Sequence, residues 1–339
     1  MSLAIVGAGL ITPFGETPTE HAFFLRASVP APPPSPFRLR EDDSALHTHY
    51  CRWIGAAAAV DQRLLRMVNQ AVRDALRPCG ALGDPGGVHL LLCASNERPG
   101  LTEETLSKVL AGLASRGTVH RYSGDAGVFA ALREAPSLLR SRGARVVVAA
   151  AVDSFVCIDA LDEHVLHSPS EWDLDPPAPS EGAAAIALVE PHEARRGAVP
   201  ILGHVDGAAV AVGQSNDDNQ ELVDGSAMTT VLRQLPAPAP VGSAFGPFKV
   251  NLLRQAEWHL ASARNAERFA RECRFSCFES HVGRLGAASG LANLVYGLAV
   301  HRHRAAETVA ASDAPFFAWA ISPDGTRGAA VLGAREPRA

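Results

Sequence analysis

A chain of 339 residues and 35.6 kDa, 47% apolar and 20% charged, can bury a large core as one domain or two fused halves, which excludes a disordered or fibrous protein. The net charge of −5 (31 basic against 36 acidic residues) is spread along the chain and excludes a basic surface for nucleic acid or an anionic membrane. No apolar run is long enough to span a bilayer, and the apolar start MSLAIVGAGLITPFG lacks the charged region of a signal peptide, so a cytoplasmic protein is expected.

In chain order, Leu3–Val6 is a short apolar strand closed by Gly7 and Gly9, and Thr17–Arg26 is a helix. The prolines of Val29–Pro36 lock φ and remove donors, so a surface excursion runs from there to about Tyr50. Ala59–Leu76 has helical spacing, with Leu64, Leu65, Val68, Ala71 and Val72 on one side. Val88–Cys93 is a buried strand, Glu103–Ala114 a helix, and Ala126–Arg140 a helix rich in small residues. Arg145–Ala151 and Ala183–Val189 are continuous apolar runs, the pattern of strands covered on both faces. Thr229–Leu235 is weakly helical and Pro236–Pro240 is a rigid spacer. Leu252–Arg271 and Gly286–His301 are helices, and Phe316–Ile321 and Ala329–Leu332 are strands. The segments Asp125–Asp153 and Arg284–Ile321 echo each other: each runs from a turn into a small-residue helix and then a strand. This alternation predicts a layered α/β fold, and the small-residue helices predict helices buried between sheets.

Few residues stand out as chemistry on their own. The six cysteines (Cys51, Cys79, Cys93, Cys157, Cys273, Cys277) form no CxxC framework and read as reduced, mostly buried thiols. Cys273 and Cys277 fall four apart at a helix end and lack two further ligands for a metal. His47 with His49, and His301 with His303, are two apart, a spacing that splays the rings on a helix, so no metal site is expected. Cys157, in VDSFVCIDALDEH with His164 and His167 nearby, is the candidate for a displaced nucleophile; a structural cysteine is the commoner case, and no helix start is expected there to activate it. Gly7-x-Gly9 lacks the third glycine and the downstream acid of a dinucleotide site. Arg264, Arg268 and Arg271 would share one face of a helix, a candidate docking stripe or a solvated face.

Six blocks carry more weight together: AIVGAGLITPFG (4–15), SGDAGVFAALREAPSLLRSRGARVVVAAAVDS (123–154), PSEGAAAIALVEP (179–191), GSAFGPFKVNLLRQAE (242–257), VGRLGAASG (282–290) and GTRGAAVLG (325–333). In this order they resemble the thiolase-fold condensing enzymes, specifically the β-ketoacyl synthases, over nearly the whole chain. The resemblance implies an α/β, thiolase-like fold with two pseudo-symmetric βαβα halves, 1–192 and 193–339, in one compact α-β-α-β-α unit. The chain is shorter than typical members.

The resemblance also places a catalytic constellation, and this chain departs from it. The nucleophilic cysteine, activated at a helix N-terminus, falls on Asp125, which suits an N-cap and is a poor acyl acceptor. The first catalytic histidine falls on Phe245, with Glu257 near the family's following glutamate. The second falls on Arg284, after Gly283, and a guanidinium cannot act as a base near neutral pH. Glu279 stands where the family has a lysine, and His281 is the nearest remaining imidazole. Pro323 falls on an oxyanion-hole donor position and has no N–H. An Asp125–Arg284 ion pair is expected to plug the vacated pocket, with Phe245 beside it.

The expected function is therefore a catalytically inactive homologue acting as a structural or specificity partner, paired with an active ketosynthase as chain-length factors are. Its implied partners are a second subunit, in a homodimer or a heterodimer with a ketosynthase joined near Thr118–Tyr122, and an acyl carrier protein. No cofactor or metal is implied. The alternatives are an acyltransferase or condensing enzyme with a relocated nucleophile, Cys157, and a scaffold or acyl-chain binder outside fatty acid and polyketide synthesis.

Overall fold

The two apolar runs in the middle of the N-terminal half lie side by side. Strands β4 (Val146–Ser154) and β5 (Glu181–Val189) pair antiparallel, and every residue of both is buried. This is a computed structural model; it describes residues 2–27, 36–38, 45–55, 57–141, 143–166, 177–213, 224–236, 239–247, 252–307 and 314–333. The proline-rich run 29–35, His167 and the side chain of His164 fall outside the described residues.

Around that pair, β2 (Val88–Ala94) runs parallel to β4 and to the edge strand β3 (Thr118–Ser123), while β1 (Leu3–Ile11) lies antiparallel to β5. The C-terminal half repeats this plan. Strand β7 (Val241–Phe245) runs parallel to β9 (Phe316–Ile321) and to the edge strand β8 (Phe269–Ser276). Strand β10 (Thr326–Gly333) lies antiparallel to β9 and to β6 (Gly203–Val212). The order β3-β2-β4-β5-β1 thus continues as β6-β10-β9-β7-β8, and each strand of the first half has its counterpart five places later in the chain. The halves join through three pairs, Leu3↔Val205 to Ile5↔Gly203.

The helices obey the same repetition. Helix α4 (Gly127–Ser141) connects β3 to β4, and α10 (Ser289–Glu307) lies between β8 and β9. Both contribute to one central core with the inner faces of the two halves, through residues such as Phe129, Leu132, Leu291 and Val295. Helices α2 (Val60–Leu76) and α3 (Glu103–Leu113) cover the outer face of the first half. Helices α7 (Ser226–Gln234) and α8 (Leu252–Ala263) cover that of the second. The result is the five-layered, thiolase-like α-β-α-β-α arrangement expected from the sequence. None of the described helices is long and apolar enough to cross a membrane.

Several boundaries differ from the sequence reading. Gly7 and Gly9 do not close β1; they lie inside it, because a Cβ on them would approach the carbonyl oxygens of Ala75 and Ala71 in α2 to 1.9 and 2.3 Å. The predicted helix Leu252–Arg271 stops at Ala263, where the Asn265 side chain donates to the Ala261 carbonyl (2.7 Å), and the chain then forms β8. Cys273 therefore sits in a strand, with Cys277 just beyond it, and the arginine stripe does not exist as one helical face. Arg264 and Arg268 instead donate to the carbonyls of Asp224 and Leu235 (2.5 and 2.8 Å).

Candidate functional site

The loops after β2, β3, β4 and β9 and the turn before α10 meet around one cavity of about 430 Å³. It opens at the C-terminal ends of the parallel strands, the usual place for a site in such sheets. The head of α4 forms one wall. Gly124, at φ +79°, lets the chain turn into the helix close to the β9–β10 turn; a Cβ there would come within 2.7 Å of Ser322 Oγ. Ser322 Oγ accepts from Ala126 N (2.8 Å), so a residue of the second half caps the helix of the first. The same turn is closed by Ser322 N on Thr326 O (2.8 Å) and by Thr326 N on Asp324 Oδ1 (2.9 Å), with Pro323 at its corner. Asp125, Pro323 and Asp324 all face the cavity.

The opposite wall is built on Asp153, the buried end of β4. Its Oδ1 takes an ion pair from Arg98 (2.6 Å) and the Ser154 amide (2.9 Å); its Oδ2 accepts from Ser95 Oγ and from Ala287 N (3.0 Å). One carboxylate thereby ties three loops together. Gly286 is required beside it, since a Cβ there would fall 2.2 Å from Asp153 Oδ2. Arg98 also lies over the Phe155 ring, 4.1 Å from its centroid, and Arg284 lies over the same ring at 4.5 Å. Behind this wall Ser154 Oγ donates to Glu181 Oε2 (2.8 Å). Glu181 pairs with Arg63 through two bonds of 2.7 and 2.5 Å and accepts from Cys51 N (2.6 Å), and both charged side chains are fully buried.

The structure brings Asp125, Arg284 and Pro323 to this cavity and leaves the other expected residues elsewhere. The Asp125–Arg284 plug does not form: the guanidinium rests on Phe155, and the ion pairs among the described residues do not join it to Asp125. Phe245 is not beside it. At 1% exposure, its ring packs edge-on against Tyr296, His301 and Phe316 in the core. Glu257 is committed to a buried two-point pair with Arg327 (2.9 and 3.0 Å). Glu279 is buried and accepts from Leu285 N (3.0 Å). Gly283, at φ +84°, lets the chain pass the Ala178 carbonyl, where a Cβ would stand at 2.6 Å. His281 is exposed on the short helix α9 (Glu279–Val282) and does not line the cavity.

Cys157 differs from expectation. It stands directly before helix α5 (Ile158–Leu166), its carbonyl accepting from Leu161 N (3.0 Å), so a helix start does sit there. Burial nonetheless pushes its thiol above the ordinary range, outweighing the helix amide and the nearby Arg98. Burial does the same, more strongly, to Cys93. His47 and His49 also correct the spacing argument. In an extended segment residues two apart share a face, and their Nε2 atoms stand 3.4 Å apart. No group of three metal-ligating side chains occurs among the described residues.

Sequence reasoning overlooked Ser95, Arg98, Asp153, Phe155 and the Arg63–Glu181 pair. The available signal was one carboxylate in each of two otherwise apolar strands, Asp153 next to the end of β4 and Glu181 opening β5, since buried charges demand partners.

No protein-family model matches the chain, and no curated protein matches it. Solved structures do. The ketosynthase from module 6 of the bacillaene synthase of Bacillus subtilis 168 aligns with TM-score 0.78 and 14% identity, over 99% of this chain and 73% of that one. The ishigamide ketosynthase/chain length factor aligns with TM-score 0.68 and 18% identity, over 98% and 99%. A type II polyketide synthase ketosynthase solved with its acyl-carrier protein, AntDE:AntF, aligns with TM-score 0.66 and 14% identity, over 98% and 99%. At such identities the likeness is one of fold, and it agrees with the strand order and layering: the chain is built on the thiolase-like fold of the ketosynthases.

Proposed function

We propose that this protein is a ketosynthase-fold partner subunit without condensing activity, acting beside an intact ketosynthase and its acyl carrier protein. One observation carries the reading. The cavity at the head of α4 is lined by the carboxylates of Glu97, Asp125 and Asp324, the guanidinium groups of Arg98 and Arg284 and the Pro323 turn, and the described residues that line it include no thiol and no imidazole. Condensation needs a thiolate to hold the acyl group and proton-handling groups to stabilise the enolate left by departing carbon dioxide. Asp125 is a weak acyl acceptor, Arg284 offers a guanidinium where an imidazole is needed, Pro323 has no N–H, and Phe245 is in the core. Groups that act as a unit lose their function as a unit.

The partner role rests on likeness and topology. One similar structure is a ketosynthase/chain length factor and another is a ketosynthase held with an acyl-carrier protein. Strand β3 pairs with β2 alone among the described strands, so its outer edge is open to a second subunit, a second copy or an intact ketosynthase. The decisive experiment is intact-mass measurement after incubation with acyl-CoA and acyl-carrier thioesters. The expected result is no added mass. A stoichiometric acyl adduct on Cys157 or Cys93 would establish the relocated-nucleophile enzyme instead.

A further inference from the structure

A second cavity, of about 390 Å³, shares no lining residue with the one above and has the size of a small-molecule pocket. It lies between β1, the first turn of α1 (Pro18–Arg26), the C-terminal end of α2 and one face of α10. The α10 face is a single stripe: Val295, Leu298, Ala299, Arg302 and His303 fall at positions i, i+3, i+4, i+7 and i+8. It changes character along its length. The first three are apolar and the last two basic, and Val295 to Arg302 spans about 10 Å. Ala8 and Leu202 face the apolar end.

Arg77 joins Arg302 at the mouth, and both are exposed. Among the described residues neither guanidinium has an ion-pair partner. Asp74 is the one acidic residue among the described lining residues, so the mouth is net positive. The α1 terminus adds no free anion site. Its capping box is complete, with the Glu20 carboxylate on the amides of Glu16 and Thr17 (2.8 and 3.0 Å). An anion entering the cavity therefore meets the arginines.

We propose that this cavity binds an anionic amphiphile, with a carboxylate or phosphate head between Arg77 and Arg302 and an unbranched hydrocarbon tail of about eight carbons along α10. The site is independent of the function proposed above and stands or falls separately.

Calorimetric titration of the full chain with octanoate, octyl phosphate, octanol and acetate tests it. Octanoate and octyl phosphate are expected to saturate one site, with octanol and acetate at least about tenfold weaker, the scale of one charge-assisted contact. The tighter of the two anions names the natural head group, and either order supports the site. The surface pair Arg77→Ser with Arg302→Ser is expected to weaken both anions about tenfold or more. Ala299→Trp, checked for an unchanged unfolding midpoint, should block the tail; Arg284→Ala should leave binding unchanged. Failure of either anion to saturate, octanol binding as tightly as octanoate, or loss of binding in Arg284→Ala with none in the Arg77/Arg302 pair would overturn the proposal.

Discussion

His21, buried on α1, shows how tightly a single residue is held. Its Nδ1 lies 2.7 Å from the Thr17 carbonyl, which can only accept, so Nδ1 carries the proton and Nε2 accepts from Thr12 Oγ1 (2.7 Å). Burial keeps the ring neutral, lowering its pKa to about 4. Unfolding restores the ordinary value near 6.5. A depressed histidine stabilises the fold above the unfolded pKa, and that contribution is lost as pH falls from about 6.5 toward 4. Urea unfolding is expected to show about 3 kcal/mol lost by this route between pH 7 and pH 4, with His21→Gln removing that part of the slope. The Arg63–Glu181 pair makes a second test. Glu181→Ala strands a buried guanidinium, and an equilibrium unfolding loss of about 3–5 kcal/mol is expected. Replacing both with apolar residues should cost less than the single change. These partners were not legible in the sequence, because 118 residues separate Arg63 from Glu181 and only the fold joins them. Asp125, Arg284 and Pro323 were legible as neighbours because each sits in a block whose place in the fold could be recognised. Phe245 sits in such a block too; a phenylalanine there reads as core packing, and the ring does lie in the core, away from the Arg284 turn.

The elements that position the site are α4 and α10, and glycine lets them approach. A Cβ at Gly290 would meet the Asp125 carbonyl at 2.9 Å and Val128 and Phe129 at 3.0 Å. Gly290→Val is therefore expected to destabilise the protein by about 1–3 kcal/mol through overpacking, read from the urea midpoint, and to move the Asp125 turn. The small-residue character of both helices was readable, as were the two central strands, since fully covered strands are apolar throughout. Strand β8 was not. Its sequence FARECRFS follows a helix with no glycine or proline between them, and as an edge strand it alternates poorly between buried and exposed positions. Helix α5 was overlooked because its first residues continue directly from the loop after β4.

At the scale of the whole molecule, the repeat explains why a chain of this length carries one principal site. The head of α4 from the first half is capped by Ser322 of the second, and Arg284, just ahead of α10, reaches across to Phe155 beyond β4. The internal echo between the segments beginning at Asp125 and Arg284 was legible because both helices are central. The match of β1 with β6 and of β2 with β7 emerges only from strand order. We infer that the groups meeting at this junction, which include no thiol and no imidazole among the described lining residues, do not carry the decarboxylation that condensation needs. Carbon dioxide release from a malonyl thioester measures that directly. The expected rate is that of the buffer alone. Release above that rate, abolished by Asp125→Asn or Arg284→Ala, would show that this junction does decarboxylate and would overturn the inference.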